Sequence, residues 1–479
     1  MLRADDAIAP MPMGIRGGVA LPAALAWHDL AAISIGAMVF EPMDIAAAKA
    51  AVGGLPIYLS TELANAPSGS QPAAQISVRQ GHAVSLAEML AGMRTMSEAP
   101  PAATSSKKRA CQLMTAKIGL IGLGNFARRN IIPGINRARD LDLAAIYDQS
   151  PDAVRMVAEG LPPGVVCESV DELVRRDDLD LIYIATPSAA HVELVEAVIA
   201  AGRHVVCEKP FASNYAEAAR LADMARKAGV VTAVDHEMRY SAIYRGMKNL
   251  LAEGYVGNVV MASVNFSTDY SVNPYYPATY YWNFGSIRMH TGGVMRQAIS
   301  HFIDLYQFLF GSIEARGGYC ATMIKQKPEL IESVSDQGER VLSAGAMRAV
   351  DADDAIALSG CLPNGAPASI AATWSAAVTT GTRWLIQGDE GVLSYEGAVL
   401  GGLWGDSLRG ARRGETLADL PLPAEQYADM RPTAPGYMGG LIAAQLEDVV
   451  AVIDKRSEGM FATFESECAV WKAMEEWDR

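Results

Sequence analysis

A short apolar run followed by closely spaced glycines constrains this chain more than any other part of its sequence. KIGLIG is typical of a buried strand, and Gly122, Gly124 and Ala127 then follow in a GxGxxA spacing before a segment that favours helix. The first glycine of such a loop permits a tight turn, and the second lets backbone approach a pyrophosphate. The spacing predicts a dinucleotide-binding loop in which the helix N-terminus, with Asn125 and Phe126, faces the phosphates.

A carboxylate at the end of the next strand supports this interpretation. Asp148 ends LAAIYD, 21 residues after Ala127, where it can accept hydrogen bonds from an adenosine ribose. The alternative is an ordinary strand-to-helix turn with an exposed aspartate. No Arg or Lys directly follows Asp148 to bind a 2′-phosphate, so NAD is favoured as cofactor, with NADP possible.

The fold class is expected to be α/β for the first part of this region and α+β for the second. From Lys117 onward, strands and helices alternate, which predicts a doubly wound parallel sheet of the Rossmann type. After Asp235 the pattern changes to alternating strands, with a hairpin signal at Asn364-Gly365, which predicts a large, mostly antiparallel sheet. The last two helices should pack back on the body. The expected domains are an extension (1–113), a dinucleotide-binding domain (114–235) and a substrate domain (236–479).

The extension is of unknown fold. A polar, proline-containing run at 97–109 is typical of a linker, and Met114 stands where a start methionine would fall. The first 113 residues are a fused remnant domain with strands at 33–40 and 55–62, a partly ordered tail, or translated sequence upstream of the real start. Composition does not decide among the three.

Charge and composition exclude several classes of partner. The net charge of −14 disfavours nucleic acid and anionic membranes, because either would need a basic surface. The apolar segment 19–40 carries His28 and Asp29 at its middle, which disfavours a membrane span. Six cysteines without a CxxC pair suggest neither a disulfide framework nor zinc. A cytoplasmic protein with small-molecule partners is expected.

Two further motifs follow strands of the predicted parallel sheet. Thr186-Pro187 comes after one strand and Glu208-Lys209 after the next. Both should lie at the carboxyl edge, where ligands of such sheets bind. An ammonium beside a carboxylate can polarise a substrate hydroxyl, or shift its own pKa and transfer protons. The alternative is a surface Glu-Lys ion pair, which contributes little.

A polar stripe marks a later helix. Gln297, His301 and Asp304 fall at positions i, i+4 and i+7, opposite an apolar face. Gln297 and Asp304 are candidate substrate contacts. A solvated helix face is the alternative, but Gly292-Gly293 at the helix start would allow close approach of substrate or cofactor.

Two charged residues near the domain junction allow more than one interpretation. Arg239 either contacts a substrate hydroxyl or carboxylate or pairs with a neighbouring residue. His236-Glu237 lacks the second histidine of an HExxH helix, so no metal is expected.

Together these motifs make residues 117 to about 475 resemble the Gfo/Idh/MocA family, which includes glucose-fructose oxidoreductase and inositol dehydrogenase. The resemblance rests on IGLIGLGNFA, IATPSAAH, CEKP, HEMRY and GGVMRQAISHFIDL in the family's order. By position, Lys209 matches the family's EKP lysine and His301 its catalytic histidine. Gln297 departs from the family's frequent aspartate, which puts an Asp-assisted proton relay in doubt and leaves Asp304 as the nearest carboxylate on that face. Ile299 replaces a common glycine.

The resemblance implies hydride transfer between a sugar or polyol carbon and nicotinamide, in homodimers or homotetramers built through the open-faced sheet. His301 would accept the hydroxyl proton and Lys209 would stabilise alkoxide charge. Two rivals remain: an NAD-using lyase or glycosidase without net redox change, and a non-catalytic NAD(H)-binding regulator.

Overall fold

The computed structural model divides the chain into two compact units, Met1–Arg109 and Ala110–Arg479. It describes residues 115–159, 161–272, 287, 292–334, 340–397, 407–421 and 437–478, together with two short strands of the first unit, β1 (Tyr58–Leu59) and β2 (Ile76–Ser77). These two strands pair antiparallel, and the first lies within the segment 55–62 that was expected to be a strand. The expected strand at 33–40, the linker and Met114 lie outside the described residues.

A five-stranded parallel sheet forms the first half of the second unit, which confirms the predicted Rossmann-type sheet. Its spatial order is β4-β3-β5-β6-β7. The strands are β3 (Ala116–Ile121), β4 (Leu141–Tyr147), β5 (Leu181–Ile184), β6 (His204–Cys207) and β7 (Thr232–Val234). Because β4 lies on one side of β3 and β5 on the other, the connections diverge between β3 and β5. Ligands of doubly wound sheets bind at this crevice, beyond the carboxyl ends of the strands.

Helices connect these strands, and capping residues mark where one of them begins and ends. They are α1 (Ile132–Arg137), α2 (Pro151–Ala158), α3 (Val170–Val174), α4 (His191–Ala200) and α5 (Tyr215–Ala228). A π-helical segment, Ala127–Ile131, precedes α1, so the helical winding changes within this run. The side chain of Asn214 caps α5 at its start, and Gly229, with φ 69°, ends it.

The second half contains the predicted large sheet. Eight strands lie in the order β17-β16-β15-β14-β8-β13-β12-β9, and all neighbours are antiparallel except β8 and β13. A separate antiparallel pair is formed by β10 (Gln326–Val334) and β11 (Arg340–Ala349). The strands of the large sheet are β8 (Val259–Ser267), β9 (Glu314–Ala321), β12 (Ala355–Cys361), β13 (Pro367–Thr373), β14 (Gly381–Gly388), β15 (Gly391–Gly397), β16 (Ser407–Arg412) and β17 (Ala418–Asp419). The expected hairpin at Asn364-Gly365 joins β12 to β13, with Gly365 at φ 83°.

One face of this sheet is covered and the other is open. Alternate residues of β12 and β13 are buried and exposed, as half-buried strands require. On the covered face, α7 (Ser300–Phe310) places Phe302 and Tyr306 against Trp384 of β14, with ring centroids 6.2 and 4.8 Å apart. The remaining helix of this half is α6 (Ala242–Ala252).

The two C-terminal helices pack back on the body, as expected. They are α8 (Tyr437–Ile453), which packs on α1, and α9 (Phe464–Trp477), which packs on α5 and β9. A backbone hydrogen bond from Val234 to Ala462 ties the segment before α9 to the end of β7. Helix α9 is thereby brought beside the carboxyl edge of the parallel sheet.

Among the described residues, no helix has the length and apolar character that crossing a bilayer requires. The cytoplasmic location stays a prediction.

Candidate active site

The glycine loop lies directly on the crevice between β3 and β5. Gly122 has φ 97°, and a Cβ on it would lie 2.7 Å from the backbone of Ala185, at the end of β5. Only glycine therefore fits this turn. Gly124 is exposed, and a Cβ there would meet nothing within 4 Å. Asn125 and Phe126, both exposed, open the helical run, whose first amide groups have no partners within a helix.

Asp148 stands beside this loop, immediately after β4. Its carboxylate accepts one hydrogen bond from the amide of Leu123, in the loop, and one from Ser150, each at 2.7 Å. These two bonds fix the carboxylate at the crevice while leaving lone pairs for further donors. Arg128 donates to the carbonyl of Leu123 at 2.5 Å, so its guanidinium is held against the loop as well.

Three buried side-chain oxygens at the carboxyl edge lack hydrogen-bond partners among the described residues. They are Oγ1 of Thr186, after β5, Oε1 of Glu208, after β6, and Oδ1 of Asp235, after β7. Unsatisfied buried oxygens are costly unless a ligand or water completes them. Together with the glycine loop and Asp148, they form a polar track along the sheet edge that fits a dinucleotide. Pro187 is exposed beside Thr186. His191 is buried, with its two nitrogens 2.9 and 2.8 Å from the carbonyl oxygens of Pro210 and Thr186, so both nitrogens are engaged by the backbone.

Lys209 reaches from the end of β6 into the second half of the unit. Its Nζ atom donates to the backbone oxygen of Gln297 at 3.1 Å and to the side-chain oxygen of the same residue at 3.2 Å. Burial lowers the pKa of Lys209, while the carboxyl group of Glu208 opposes that shift. These contacts do not fit the surface ion pair considered as an alternative.

The predicted polar stripe is confirmed to share one helical run, but it is not a solvated face. Gln297 lies in a π-helical segment, Met295–Ile299, and His301 and Asp304 lie in α7. Their exposed fractions are 5%, 3% and 1%. The interpretation as a solvated face is therefore wrong, because the stripe packs against the edge of the parallel sheet. Burial, reinforced by the charges of Lys209 and His236, lowers the pKa of His301 well below its ordinary value.

The glycines before this helix lie close against other segments of the chain. Gly293 has φ 104°, and a Cβ on it would lie 2.6 Å from the carboxylate of Asp353. A Cβ on Gly292 would lie 2.4 Å from the carbonyl oxygen of Ile287. Asp353 also accepts from the amide of Met295 at 2.7 Å and so caps the helical run. The protein's own chain therefore requires glycine at both positions, and the approach of substrate or cofactor stays a prediction.

Arg239 and Asp304, both predicted substrate contacts, bind each other. The guanidinium donates to both carboxylate oxygens, at 2.8 and 2.5 Å, and also to the carbonyl of Met460 at 2.9 Å. The pair is buried, with side-chain exposures of 9% and 1%. The geometry corresponds to the alternative in which Arg239 pairs with a neighbour.

Two residues that the sequence analysis did not assign complete the surroundings of His301. His236, just after β7, lies with Nδ1 3.2 Å from Nδ1 of His301, and its Nε2 lies 3.0 Å from Oε2 of Glu467 in α9. Burial disfavours charge on His236, but Glu467 and Asp304 outweigh it and raise the pKa of His236 to about 9. His236 belongs to the motif HEMRY, whereas no local pattern marks Glu467.

The carboxyl groups of Glu208, Asp235 and Glu237 lie close enough to Lys209 for their charges to raise its pKa. Burial, followed by the neighbouring charge of Asp235, raises the pKa of Glu208 well above its ordinary value and that of Glu237 to about 8. Burial also raises the pKa of Asp235, although Tyr183 donates to it at 2.5 Å. The cluster can therefore retain protons at neutral pH.

His236, Asp304 and Glu467 also offer ligand atoms within 4.8 Å of one another. Both oxygens of Asp304 are occupied by Arg239, and a cation would lie against that guanidinium. The arrangement fits a hydrogen-bonded network better than a metal site.

A parallel sheet with this glycine loop and a buried lysine at its edge is joined to a broad antiparallel sheet whose covering helix, α7, carries a buried histidine. This arrangement defines a dinucleotide-dependent oxidoreductase. Residues 116–236 match the profile described as "Oxidoreductase family, NAD-binding Rossmann fold", and residues 244–394 match the profile of the GFO/IDH/MocA C-terminal domain. The chain belongs to the GFO/IDH/MocA oxidoreductase family.

Two relatives illustrate the range of similarity. An uncharacterized oxidoreductase of Synechocystis sp. is 25% identical over 341 residues, which are 71% of this chain and 85% of the relative. Inositol 2-dehydrogenase of Gluconacetobacter diazotrophicus is 34% identical over 151 residues, 31% of this chain and 44% of that enzyme. Less than half of the inositol enzyme is therefore matched.

Solved structures show the same fold. A levoglucosan dehydrogenase in complex with NADH and levoglucosan superimposes with a TM-score of 0.62 at 20% identity, covering 75% of this chain and 95% of that one. At this identity, the likeness shows the fold alone.

Proposed function

We propose that this chain is an NAD-dependent dehydrogenase that oxidises a secondary hydroxyl of a sugar, inositol or related polyol. The observation that carries the proposal is that Lys209, at the carboxyl edge of the NAD-binding sheet, donates to Gln297, one helical turn before His301, and that its charge helps to lower the pKa of His301. The names of the inositol and levoglucosan enzymes support the substrate class.

The residues that would hold the cofactor follow from the crevice. Gly122, Gly124 and the amide groups of Asn125 and Phe126 would face the pyrophosphate. Asp148 would accept from the adenosine ribose, which favours NAD over NADP. The unpartnered oxygens of Thr186 and Glu208, with Pro187 beside them, would line the nicotinamide half.

Within this site, NAD supplies one chemical capacity, acceptance of a hydride from the carbinol carbon. Lys209 would donate to the substrate oxygen and stabilise the charge that develops on it, since its burial makes this interaction stronger than in water. His301 would exchange the hydroxyl proton, because a neutral imidazole can accept it. Gln297 would hold the lysine. Arg239 and Asp304 would fix α7 to the segment after β7 from behind, without contacting substrate.

The decisive experiment is a panel of sugars and polyols assayed with NAD and with NADP on the full chain. Growth of the NADH absorbance band with one class of substrate would establish a dehydrogenase. Turnover of a glycoside without net NADH would instead establish the lyase or glycosidase. Tight NAD binding with no turnover on any substrate would favour the regulator.

We further propose that residues 114–479 carry the activity and that copies associate as a homodimer or homotetramer through the open sheet face. Tyr319 of β9 pairs with Ala357 of β12 on that face and is 71% exposed. Exposed aromatic side chains on a broad flat sheet are typical of interfaces. Light scattering of the full chain and of Tyr319→Glu tests this; a monomeric native protein would contradict it.

A further inference from the structure

The catalytic histidine candidate is the end of a buried chain of three ionisable side chains. His301 contacts His236 through the two Nδ1 atoms at 3.2 Å, with the rings nearly perpendicular at 89°. His236 contacts Glu467 through Nε2 at 3.0 Å. The three residues are 3%, 1% and 0% exposed, so water does not interrupt the chain.

Hydrogen-bond chemistry allows the three side chains of His301, His236 and Glu467 only two arrangements of protons. An ionised carboxylate only accepts, so the contact with Glu467 places a proton on Nε2 of His236. The contact between the two Nδ1 atoms holds one further proton. If that proton lies on His301, then Nε2 of His301 has a free lone pair; if it lies on His236, then neutral His301 carries its own proton on Nε2.

We propose that His236 and Glu467 are positioning residues that convert His301 between proton acceptor and proton donor. This rests on the proposed function, in which His301 exchanges the substrate hydroxyl proton. In oxidation, the hydroxyl proton binds Nε2 of His301 while the Nδ1 proton of His301 passes to Nδ1 of His236, whose positive charge is compensated by Glu467. The electrons leave with the hydride described above. Reduction of the carbonyl runs the same transfers in reverse.

The charges around His236 and His301 determine which of the two histidines is protonated. Glu467 in α9 and Asp304 in α7 favour a protonated His236, whereas Arg239 opposes it. Lys209 and His236 both disfavour charge on His301. Two more carboxyl groups lie on the same segment as His236, those of Asp235 and Glu237. Burial raises the pKa of both, that of Glu237 to about 8.

The sign of the pH dependence follows. Because the pKa of His236 is raised to about 9, neutral pH favours the proton-donor state of His301, which serves reduction. Oxidation should accelerate as pH rises toward about 9, since only then does His236 lose its second proton.

The first test needs no cofactor or substrate. Imidazole nitrogen shifts of the ¹⁵N-histidine-labelled full chain, assigned with His236→Gln, should show His236 losing its proton near pH 9 and His301 remaining neutral in acid. Glu467→Gln keeps an accepting oxygen but removes the charge, so the His236 midpoint should fall by about one pH unit or more. Glu465→Gln, exposed on the same helix, is the matched control and should leave it unchanged. An identical midpoint in Glu467→Gln and the native protein would overturn the proposal.

The second test uses turnover in both directions. In Glu467→Gln, the acid limb of oxidation and the alkaline limb of reduction should both move to lower pH by the shift of the His236 midpoint. Above the native midpoint, reduction should fall by roughly tenfold for each pKa unit lost, while at neutral pH it should change little. His204→Gln, at the opposite end of the sheet, should keep the native profile. Should Glu467→Gln not fold, the native titration decides alone, and protonation of His301 near its ordinary value of 6.5 contradicts the relay.

The two proposals fail in different ways. If no polyol is turned over but the histidine midpoints move as expected, the proposed function is wrong and the relay stands. If a polyol is oxidised while Glu467→Gln leaves both the midpoint and the pH profile unchanged, only the relay is wrong.

Discussion

The ammonium of Lys209 lies 3.2 Å from the side-chain oxygen of Gln297, one helical turn before His301. The amide holds the lysine as an aspartate would, but it carries no charge and cannot titrate. The lysine consequently keeps a pKa below its ordinary value, because burial outweighs the attraction of Glu208.

Gln297→Asp should therefore change the pH dependence of oxidation. A carboxylate at this position favours the charged forms of both Lys209 and His301, so the acid limb of the kcat profile should move to higher pH by about one unit or more. The limb is read from kcat for polyol oxidation between mildly acidic and alkaline pH. Gln297→Asn, which has the shape of aspartate but no charge, is the matched control. Equal displacement of the limb in both variants would mean that packing, not charge, moves it.

Cofactor choice should depend on Asp148. Replacing it with Ser and Gln149 with Arg should raise the ratio of kcat/KM for NADP over NAD, since a carboxylate repels the 2′-phosphate that an arginine binds. Asp148 also accepts from the amide of Leu123, so binding of both cofactors should weaken. Gln149→Arg alone separates the two effects. An unchanged ratio in the double variant would remove Asp148 from the ribose site.

Local sequence motifs predicted those parts of the site that follow directly from single strands. The glycine loop, Asp148 and Lys209 each follow a strand, and parallel strands bring their carboxyl ends to one edge, so their proximity was predictable. The contact between His236 and Glu467 spans 231 residues and depends on how α9 returns to β7, which no local pattern encodes. For Arg239 the sequence left two possibilities, a substrate contact or an ion pair. Its pairing with Asp304 likewise depends on how distant segments pack together.

The extension should be dispensable for catalysis. A chain beginning at Met114 should fold, bind NAD and keep the turnover of the full chain, because the sheet edge and its site residues are all contributed by later residues. Cofactor titration and kcat of the two chains provide the comparison. Insolubility or loss of turnover on removing residues 1–113 would show that the extension covers part of the core or an interface.

Loss of charge at Asp304 should reduce stability more than it alters substrate binding. Asp304→Asn leaves the buried guanidinium of Arg239 without its counter-ion, which should lower the free energy of unfolding by about 3–5 kcal/mol. Arg239→Met combined with Asp304→Leu should recover much of this loss. Urea unfolding measures both, with Asp171→Asn, from an exposed pair with Arg175, as the control expected to change little. A stable Asp304→Asn with a greatly raised KM would instead assign the carboxylate to substrate.

Lys209 and His301 bear most directly on the proposed chemistry. If Lys209 stabilises alkoxide charge chiefly in the transition state, Lys209→Met should lower kcat by a hundredfold or more, on the order of 3 kcal/mol, while NAD still binds. Lys227→Met, on the exposed face of α5, is the matched control and should keep native turnover. A purely structural lysine would lower thermal stability and leave kcat nearly intact.

His301→Asn should remove the acid limb of the kcat profile, because an amide neither gains nor loses a proton in this range. The rate that remains should depend on pH only through groups outside the relay. A comparison of its kcat profile with that of Lys209→Met separates charge stabilisation from proton exchange. The lysine variant should keep an acid limb while its kcat is lower at every pH. An acid limb that persists unchanged in His301→Asn would mean that another group accepts the proton, and the assignment of this site would then be wrong.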